Sequence, residues 1–272
     1  MDYKLILSDF DQTLFRHDYQ IHQSTIDTIK NYQEKGGRFA ICTGRMLKSI
    51  LPYAKSMNLS GDIVACQGSV IYSLDKDEFI LRGGIEYQLS KKILEYIEKK
   101  YTHIHMYIDG ELYVNSYDEA TKQYEQFCGV HANLIEGKPS EFVYKNKYLL
   151  EKMLVFNRPE ENESCYQDLN KRFGEIAVVS ISGQMLVEIA DNNFSKGKAL
   201  IYLASRYKIS IEDTIAIGDS LNDLTMIKTA GKGIAVGNAS EALKAEADEV
   251  TLTCDENAVE YIIKKYGLGE KI

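Results

Sequence analysis

The fold of this chain is decided near its amino terminus by the stretch Lys4-Leu5-Ile6-Leu7-Ser8-Asp9-Phe10-Asp11-Gln12-Thr13-Leu14. It opens with an apolar run that is too short to cross a membrane and is typical of a buried parallel strand. Two carboxylates, Asp9 and Asp11, end the run, and Thr13 adds a hydroxyl two residues further on. In open α/β sheets ligands bind beyond the carboxyl ends of the strands, so the pattern predicts chemistry at this point.

Two carboxylates this close repel each other, and they persist together only where a cation or a shared proton offsets the repulsion. Mg²⁺ is the natural cation, because it takes oxygen ligands and is often bound together with phosphate groups. The alternative is an Asp-rich surface turn, since aspartate is common in turns and caps. The position of both carboxylates directly after a buried-strand pattern argues against that alternative.

The composition is that of a soluble globular protein, with 272 residues of which 44% are hydrophobic and 26% are charged. A net charge of −8 argues against a nucleic-acid or anionic-membrane partner.

The start of the chain has no signal-peptide pattern and no stretch has the length of a membrane span, so we expect a cytoplasmic protein. The five cysteines are never spaced as a Cys-x-x-Cys pair, which favours reduced, mostly buried thiols and argues against a zinc site. His103 and His105 alternate on one face of an expected strand, where packing is favoured over metal binding.

Strand and helix patterns alternate at both ends of the chain. One strand is predicted to end at Asp9, and two more are predicted over residues 38–42 and 62–66. Helices are predicted over residues 24–34 and 46–57, and Ser24 is the expected N-cap of the first. The same rhythm returns from Ser195, with a helix over 195–207 and a strand over 214–217. This order predicts an α/β fold with a doubly wound, Rossmann-like parallel sheet and right-handed crossovers.

The rhythm changes over residues 83–190, where hairpin patterns stand among helices. This predicts an inserted α+β domain with a mostly antiparallel sheet. The expected domains are therefore a core of residues 1–82 and 191–272 and an insert of residues 83–190.

Three further segments carry polar groups where a predicted core strand ends or a helix begins: Thr43-Gly44-Arg45, Ser195-Lys196-Gly197-Lys198 and Gly218-Asp219-Ser220-Leu221-Asn222-Asp223. If the strands are parallel, the first and the last of these segments meet Asp9 at one edge of the sheet. The hydroxyl and N–H groups of Thr43-Gly44 at a helix start would form a seat for an anion, or only a helix cap. Arg45 is either a phosphate or substrate contact or a surface charge.

The segment Gly218–Asp223 offers two carboxylates and an amide at the start of a helix. Asp219 could complete an oxygen site for Mg²⁺ with Asp9, and Asp223, one helical turn further on, could support the ligands. The alternative is that Asp219 and Ser220 only cap the helix, but the Asp9 segment favours the metal site. Lys196 opposes the dipole of its own helix, and this local cost indicates a purpose such as holding an anion.

In these motifs the chain resembles the haloacid dehalogenase (HAD) superfamily, in the Cof-type phosphatase branch with a large C2-type (C2B) cap inserted after the third core strand. Asp9-x-Asp11-x-Thr13 is similar to the first motif of that family, Thr43 to the second, Lys196 to the third and Gly218-Asp219-x-x-Asn222-Asp223 to the fourth. The later segment Gly233–Ala239 also resembles the stretch that follows the fourth motif in this branch.

The resemblance implies a phosphatase in which Asp9 attacks phosphorus and forms an aspartyl-phosphate. Asp11 would protonate the leaving oxygen and then deprotonate the attacking water. The Asp9 and Asp219 side chains and the Asp11 backbone carbonyl would bind Mg²⁺, with Asp223 orienting the ligands of the metal. A carboxylate nucleophile would split the hydrolysis into two easier steps.

The resemblance also implies a set of groups that hold the transferring phosphoryl group: the Phe10 N–H, Thr43, Gly44, Lys196 and Asn222. Two positions depart from the family pattern. Gln67-Gly68 stands where Asn-Gly is frequent, so a substrate contact at Gln67 would be shifted, and Gln12 stands where many members have glycine before the motif threonine. Neither departure removes a catalytic group.

The expected substrate is a small phosphorylated molecule of the sugar phosphate, nucleotide or pyridoxal phosphate class. Two alternatives use the same residues. A phosphomutase would need an aspartyl-phosphate that outlives water attack, and a non-catalytic binder of a phosphometabolite would be marked by the loss of an essential group, which the sequence does not show. Nothing in the sequence indicates an oligomeric state.

Overall fold

The computed structural model describes residues 3–271, which divide into two compact units. The first unit comprises residues 3–44, 51–81 and 195–271. The second comprises residues 45–50 and 82–194. The predicted insert, residues 83–190, lies inside the longer stretch of the second unit, whereas residues 45–50 had been assigned to the core.

Fourteen strands occur in the described residues. In chain order they are β1 (Leu5–Ser8), β2 (Arg38–Ile41), β3 (Asp62–Ala65), β4 (Val70–Ser73), β5 (Glu78–Arg82), β6 (Ile104–Ile108), β7 (Glu111–Val114), β8 (Ala132–Leu134), β9 (Lys152–Phe156), β10 (Ala177–Ile181), β11 (Leu186–Asp191), β12 (Thr214–Gly218), β13 (Lys232–Ala235) and β14 (Glu249–Val250).

Ten α-helices occur in the same part of the chain. They are α1 (Gln23–Glu34), α2 (Leu47–Ser56), α3 (Tyr87–Lys100), α4 (Glu119–Cys128), α5 (Pro139–Asn146), α6 (Pro159–Phe173), α7 (Lys196–Tyr207), α8 (Leu224–Thr229), α9 (Glu241–Lys244) and α10 (Ala258–Ile262). None of the helices within residues 3–271 is long and apolar enough to cross a membrane.

The main sheet of the first unit has five parallel strands in the order β14-β13-β12-β1-β2. Strand β1 lies between two neighbours and is buried along its length, which explains its continuous apolar run. Ser8 pairs with Ile41 of β2 and Ile217 of β12. The residues that follow these three positions therefore leave the sheet at the same edge, and the predicted α/β parallel core is confirmed.

The third predicted strand departs from the parallel arrangement. β3 pairs antiparallel with β4 in a separate three-stranded sheet, β3-β4-β5. A single parallel bridge between Cys42 and Val64 connects it to the end of β2. The tight turn that follows β3, in which Cys66 and Gln67 both have positive φ, returns the chain against β3 and explains the antiparallel pairing.

Two predicted helix starts were wrong. α1 begins at Gln23, and His22 rather than Ser24 is its N-cap, with the Ser24 N–H 3.4 Å from the His22 ring. α2 begins at Leu47, so Thr43 and Gly44 lie in the loop before the helix and do not cap it. By contrast, Ser195 caps α7, and its Oγ accepts a hydrogen bond from the Lys198 N–H at 3.2 Å.

The second unit contains a six-stranded sheet in the order β10-β11-β9-β6-β7-β8. Its pairs are antiparallel except for β7 and β8. The β6–β7 hairpin turns at Asp109-Gly110, where both residues have the positive φ that such a two-residue turn requires. Strand β8 and helix α5 lie in a stretch for which the sequence predicted no element.

One face of this sheet is apolar and the other carries polar groups. Ile104 and Met106 of β6 belong to a buried cluster with Ile93 of α3. The alternate residues His103 and His105 face the other way, with their Nε2 atoms 2.9 Å apart. All five cysteines of the chain are buried free thiols, as the sequence predicted.

Candidate active site

Asp9 leaves the main sheet at the end of β1 and is held by its backbone. Its N–H donates to the Ile217 carbonyl at 2.8 Å, and its own carbonyl accepts from the Ser8 hydroxyl at 2.8 Å. The side chain is only 7% exposed. The parallel pairing with β12 therefore fixes where this carboxylate starts and points the chain out of the sheet.

The loop after Asp9 folds back on itself. The Phe15 N–H donates to the Phe10 carbonyl at 2.7 Å, and the two rings stack with centroids 4.8 Å apart. Gln12 takes a left-handed conformation with φ of 56°, which reverses the chain between Asp11 and Thr13. Asp11, half-buried, forms an isolated backbone bridge with Phe15, so this turn fixes the backbone that carries the second carboxylate.

Lys196, the first residue of α7, is buried between two carboxylates. Its Nζ lies 2.5 Å from Asp9 Oδ1 and 2.5 Å from Asp223 Oδ1. A buried ammonium is costly unless it is paired. Burial lowers the pKa of Lys196, but the charges of Asp223 and Asp9 outweigh that effect and raise it above its ordinary value. Lys196 is therefore a fixed positive charge beside Asp9.

Asp223 organises the segment that follows β12. Its Oδ2 accepts hydrogen bonds from the N–H groups of Asp219 at 3.0 Å and Ser220 at 3.1 Å. Ser220 and Asp223 together form a capping box, whereas the sequence had left open that Asp219 and Ser220 only cap the helix. The cap is made by Ser220 and Asp223, so the Asp219 side chain is not spent on capping.

The carboxylates of Asp9, Asp219 and Asp223 offer oxygen atoms that all lie within 4.8 Å of one another. Burial, followed by the charge of Asp223, raises the pKa of Asp219 to about 6, and burial also raises that of Asp9 despite Lys196. Three clustered carboxylates and one ammonium leave negative charge that a dication would offset. Because both oxygens of Asp223 are engaged, Asp9 and Asp219 are the carboxylates that fit a Mg²⁺ ion.

Thr43, Gly44, Gln67 and Asn222 form a second group at the same edge. The Thr43 N–H donates to the Val64 carbonyl at 2.9 Å, and its carbonyl accepts from the Gln67 N–H at 3.1 Å. A Cβ on Gly44 would lie 2.6 Å from Gln67 Nε2, so glycine leaves room for that amide. Asn222 Nδ2 lies 3.5 Å from Gln67 Oε1. The residues predicted to bind phosphate, Thr43, Gly44 and Asn222, thus lie around Gln67, which was predicted to contact substrate.

Gln67 itself has φ of 58° and the preceding Cys66 has φ of 48°. For residues with a side chain this conformation costs roughly 1–2 kcal/mol each. Such strain clusters at binding and catalytic sites, and here it turns the Gln67 side chain toward Gly44. The departure from the family pattern at Gln67 therefore falls at a strained position.

Arg45 was predicted to be either a phosphate or substrate contact or a surface charge. Arg45 belongs to the second unit, where its guanidinium carbon lies 5.6 Å from the centre of the Phe127 ring. Its substrate contact stays a prediction.

Two contributors were not assigned a role from the sequence. Thr13 donates from Oγ1 to Asp219 Oδ1 at 3.3 Å, joining the first and fourth motifs. Asn238 donates from Nδ2 to the Gln12 carbonyl at 2.8 Å, which fixes the turn between Asp11 and Thr13. Both residues lie in segments that resemble family motifs, which indicated that they matter. The spacing of residues in the sequence does not show which distant segments contact each other.

Comparison with known proteins agrees with this architecture. The family model for haloacid dehalogenase-like hydrolases matches residues 6–263. Phosphatase YwpJ of Bacillus subtilis is 26% identical, covering 96% of this chain and 99% of that protein. The 5-amino-6-(5-phospho-D-ribitylamino)uracil phosphatase YwtE of the same organism is 29% identical, covering 98% and 99%.

Solved structures give the same result. The crystal structure of the Thermotoga maritima protein TM0651 superposes with a TM-score of 0.86 at 30% identity, covering 97% of both chains. A haloacid dehalogenase-like hydrolase from Bacteroides thetaiotaomicron gives a TM-score of 0.85 at 25% identity, covering 97% of this chain and 99% of that one. The resemblance seen in the four motifs is thereby confirmed. The chain belongs to the haloacid dehalogenase-like hydrolases and is a phosphatase of the Cof-type branch.

Proposed function

We propose that the chain hydrolyses a small phosphate monoester in a Mg²⁺-dependent reaction in which Asp9 is the nucleophile. The observation that carries the proposal is the position of the Asp9 carboxylate, which lies at the end of β1 against the Lys196 ammonium and in one cluster with Asp219. A nucleophile, a fixed positive charge and a cation site thus meet at one point, which is what phosphoryl transfer requires.

In the first step an Asp9 oxygen forms a bond to phosphorus while the bond from phosphorus to the ester oxygen breaks. Asp11 gives its proton to that leaving oxygen, so the product is a neutral alcohol. In the second step Asp11 takes a proton from water, whose oxygen attacks the aspartyl-phosphate and releases inorganic phosphate and the Asp9 carboxylate. The turn after Asp9 supports this pairing, because the Asp11–Phe15 bridge and the left-handed Gln12 fix the backbone of Asp11 beside that of the nucleophile.

Lys196 acts on the charge that develops on the transferring phosphoryl oxygens. Its ammonium is held by two carboxylates and needs no rearrangement to remain charged. A donor fixed in a water-poor site is worth about 3–4 kcal/mol to a transition state. The Phe10 N–H, Thr43, Gly44 and Asn222 would hold the remaining phosphoryl oxygens, with Gln67 beside them.

The Asp9 and Asp219 carboxylates and the Asp11 carbonyl would hold Mg²⁺, which when bound neutralises charge on the phosphoryl group. Asp223 positions the surroundings, because one oxygen holds Lys196 and the other holds the Asp219 and Ser220 amides. Thr13 supports Asp219 through its hydroxyl.

We infer a small phosphorylated metabolite of the sugar phosphate, nucleotide or pyridoxal phosphate class as the substrate. A relative of 29% identity along nearly the whole chain is named as a phosphatase of a phosphoribityl uracil compound, which combines a sugar-derived phosphate with a heterocyclic ring. The net charge of −8 supports recognition by local groups rather than by a basic surface.

The proposal is tested by phosphate release from a panel of these three substrate classes, with Mg²⁺ and with EDTA. Asp9→Asn should abolish release, and so should EDTA. Asp62→Asn is the matched control, because Asp62 is an equally buried carboxylate of the first unit that bonds to Tyr207 at 2.8 Å. Asp62→Asn should retain turnover if it folds.

A single turnover in ¹⁸O-labelled water separates the chemical steps. Water that attacks the aspartyl-phosphate at phosphorus leaves the label in phosphate, and acid-quenched protein should carry a phosphoryl group on the peptide containing Asp9. An unmodified Asp9 peptide together with full activity of Asp9→Asn would refute the nucleophile. An isomerised sugar phosphate in place of free phosphate would indicate a mutase.

A further inference from the structure

A second cluster of metal-binding side chains lies in the first unit, outside the site described above. It joins His17, in the loop after β1, to Cys254 and Asp255, in a short turn before α10. His17 Nδ1 lies 2.9 Å from Asp255 Oδ2 and 3.4 Å from Cys254 Sγ, and Cys254 Sγ lies 3.8 Å from Asp255 Oδ1. Residues 237 positions apart in the chain thus bring an imidazole, a thiol and a carboxylate together.

The distances from the His17 ring are close to those of a tetrahedral site. With metal–sulfur bonds of about 2.3 Å and metal–nitrogen or metal–oxygen bonds of about 2.0 Å, tetrahedral ligand atoms lie about 3.3–3.6 Å apart. The His17 Nδ1 atom lies 3.4 Å from Cys254 Sγ and 2.9 Å from Asp255 Oδ2, close to these values, whereas the 3.8 Å distance joins Cys254 Sγ to the other carboxylate oxygen, Asp255 Oδ1. One ligand atom from each of the three side chains lies within 4.8 Å of the other two, so rotation of these side chains would bring the three atoms around one cation.

The geometry does not suit a catalytic cysteine. A relay needs one imidazole nitrogen for the thiol and the other for the carboxylate. Here the same Nδ1 of His17 faces both partners, so the three groups converge on one point. Burial, with a further contribution from Asp255, raises the pKa of Cys254 to about 11, which makes it a poor nucleophile without a metal.

The surroundings leave the cluster open on one side. The side chains of His17 and Asp255 are about half exposed, whereas Cys254 is buried. Arg16 lies nearby, with Nε 3.9 Å from Asp255 Oδ1, and its other end pairs with Asp18 at 3.6 Å. Asp18 therefore offsets part of the positive charge of Arg16, and solvent can supply a fourth ligand.

We propose that His17, Cys254 and Asp255 form a binding site for a thiophilic divalent cation such as Zn²⁺, separate from the Mg²⁺ site. A thiolate, an imidazole and a carboxylate are a preferred ligand set of Zn²⁺, whereas Mg²⁺ takes oxygen ligands. On binding, the sulfur–hydrogen bond of Cys254 is replaced by a sulfur–metal bond, and the proton leaves to solvent. No electron is transferred.

The site is connected to the loop that carries the predicted catalytic residues. The Cys254 N–H donates to Asn238 Oδ1 at 2.8 Å, and Asn238 Nδ2 donates to the Gln12 carbonyl at 2.8 Å. The loop from Gln12 to His17 is thus held at both ends by the same turn at Cys254. A bound cation would replace the hydrogen bonds at the His17 end by coordination bonds and fix the loop more firmly.

The test is a Co²⁺ titration of the wild-type protein in excess Mg²⁺, which keeps the oxygen site filled. We expect one Co²⁺ per chain with a sulfur-to-cobalt charge-transfer band in the near ultraviolet. Cys254→Ser should lose the band, and His17→Ala, a change at an exposed side chain, should weaken Co²⁺ binding at least about tenfold. Cys165→Ser is the matched control, because Cys165 is a buried thiol of the second unit and should leave the band unchanged.

Zn²⁺ should displace Co²⁺ and bleach the band, and it should slow tryptic cleavage after Arg16 in the wild type but not in His17→Ala. A wild-type protein with no charge-transfer band, a band that survives Cys254→Ser, or unchanged Co²⁺ affinity in His17→Ala would each overturn the proposal. These readouts need no turnover, so they are independent of the proposed hydrolysis.

Discussion

Replacing Lys196 by methionine removes the positive charge that is buried between two carboxylates. Both partners lie 2.5 Å from the ammonium, and neither has appreciable contact with water. Breaking a buried pair by removing one partner costs about 3–5 kcal/mol. An independent bound comes from protonation: neutralising one ordinary aspartate at pH 7 costs about 1.36 × (7 − 3.9), or roughly 4 kcal/mol. We therefore expect Lys196→Met to lower the free energy of unfolding by about 4 kcal/mol at pH 7 without divalent cations.

The cost should depend on pH with a defined sign. In the variant a carboxyl of the pair binds its proton more tightly in the folded than in the unfolded chain, so lowering the pH favours the folded state. At pH 5 the protonation cost is about 1.36 × (5 − 3.9), or roughly 1.5 kcal/mol. The difference between variant and wild type should shrink accordingly, and urea unfolding followed at both pH values measures it.

Mg²⁺ provides the matched comparison. It should restore part of the stability of Lys196→Met, by about 2.7 kcal/mol at a hundredfold excess over its Kd. Lys152→Met is the control, because Lys152 is a buried lysine of the second unit that pairs with Glu188 at 2.7 Å. Its loss should also destabilise the protein, but its Mg²⁺ site is unchanged, so Mg²⁺ should stabilise it only as much as the wild type. Lys196→Met should gain more from Mg²⁺, because the ion also replaces the missing positive charge beside Asp9 and Asp223. A Lys196→Met variant as stable as wild type, or equal Mg²⁺ responses of the two variants, would refute the reasoning.

Three further predictions concern other positions. Gly68→Ala should lower the free energy of unfolding, measured in urea, by at least about 2 kcal/mol, because φ at Gly68 is +104° and a Cβ would collide with the Ser195 carbonyl. Gly44→Ala should lower it by less than about 1 kcal/mol, because only the end of the Gln67 side chain must move. Burial, followed by repulsion from His103, holds the pKa of His105 at about 3, so the unfolded chain binds more protons than the folded chain below pH 6.5. The free energy of unfolding should therefore fall by up to about 1.4 kcal/mol per pH unit between pH 6.5 and 3. His105→Phe should reduce this pH dependence when urea unfolding is compared at pH 7 and pH 5. Asp219→Asn should raise the Mg²⁺ concentration for half-maximal phosphate release at least about tenfold.

The sequence predicted which segments meet better than it predicted where individual helices begin. Asp9, Lys196 and Asp219 stand where strands end or a helix begins, and the parallel order of β1 and β12 brings those places together. Chain order and a buried-strand pattern are enough to infer such an edge, because parallel strands share it by construction. This is why motifs separated by about 200 residues could be joined correctly.

The features that were not predicted depend on contacts that leave no periodic pattern of apolar residues in the sequence. Thr43 and Gly44 do not cap α2, which begins at Leu47, because the Thr43 N–H donates to the Val64 carbonyl and holds Thr43 in the loop after β2. Helix α5 has only eight residues, too few for a clear apolar stripe. The proximity of His17 to Cys254 was not predicted, because spacing does not detect side chains that the fold brings together from opposite ends of a chain.

The double engagement of Asp223 restricts how this protein can drift in evolution. An asparagine there would turn an NH₂ group either toward the ammonium of Lys196 or toward the amides of Asp219 and Ser220, and each orientation sets donor against donor. A Cβ on Gly218 would lie 2.5 Å from the Asp223 carboxyl carbon, so that glycine is tied to the same aspartate. In a library of random variants the three positions should be inherited as a unit: survivors that keep the lysine should keep the aspartate and the glycine, and single exchanges among them should vanish from the pool.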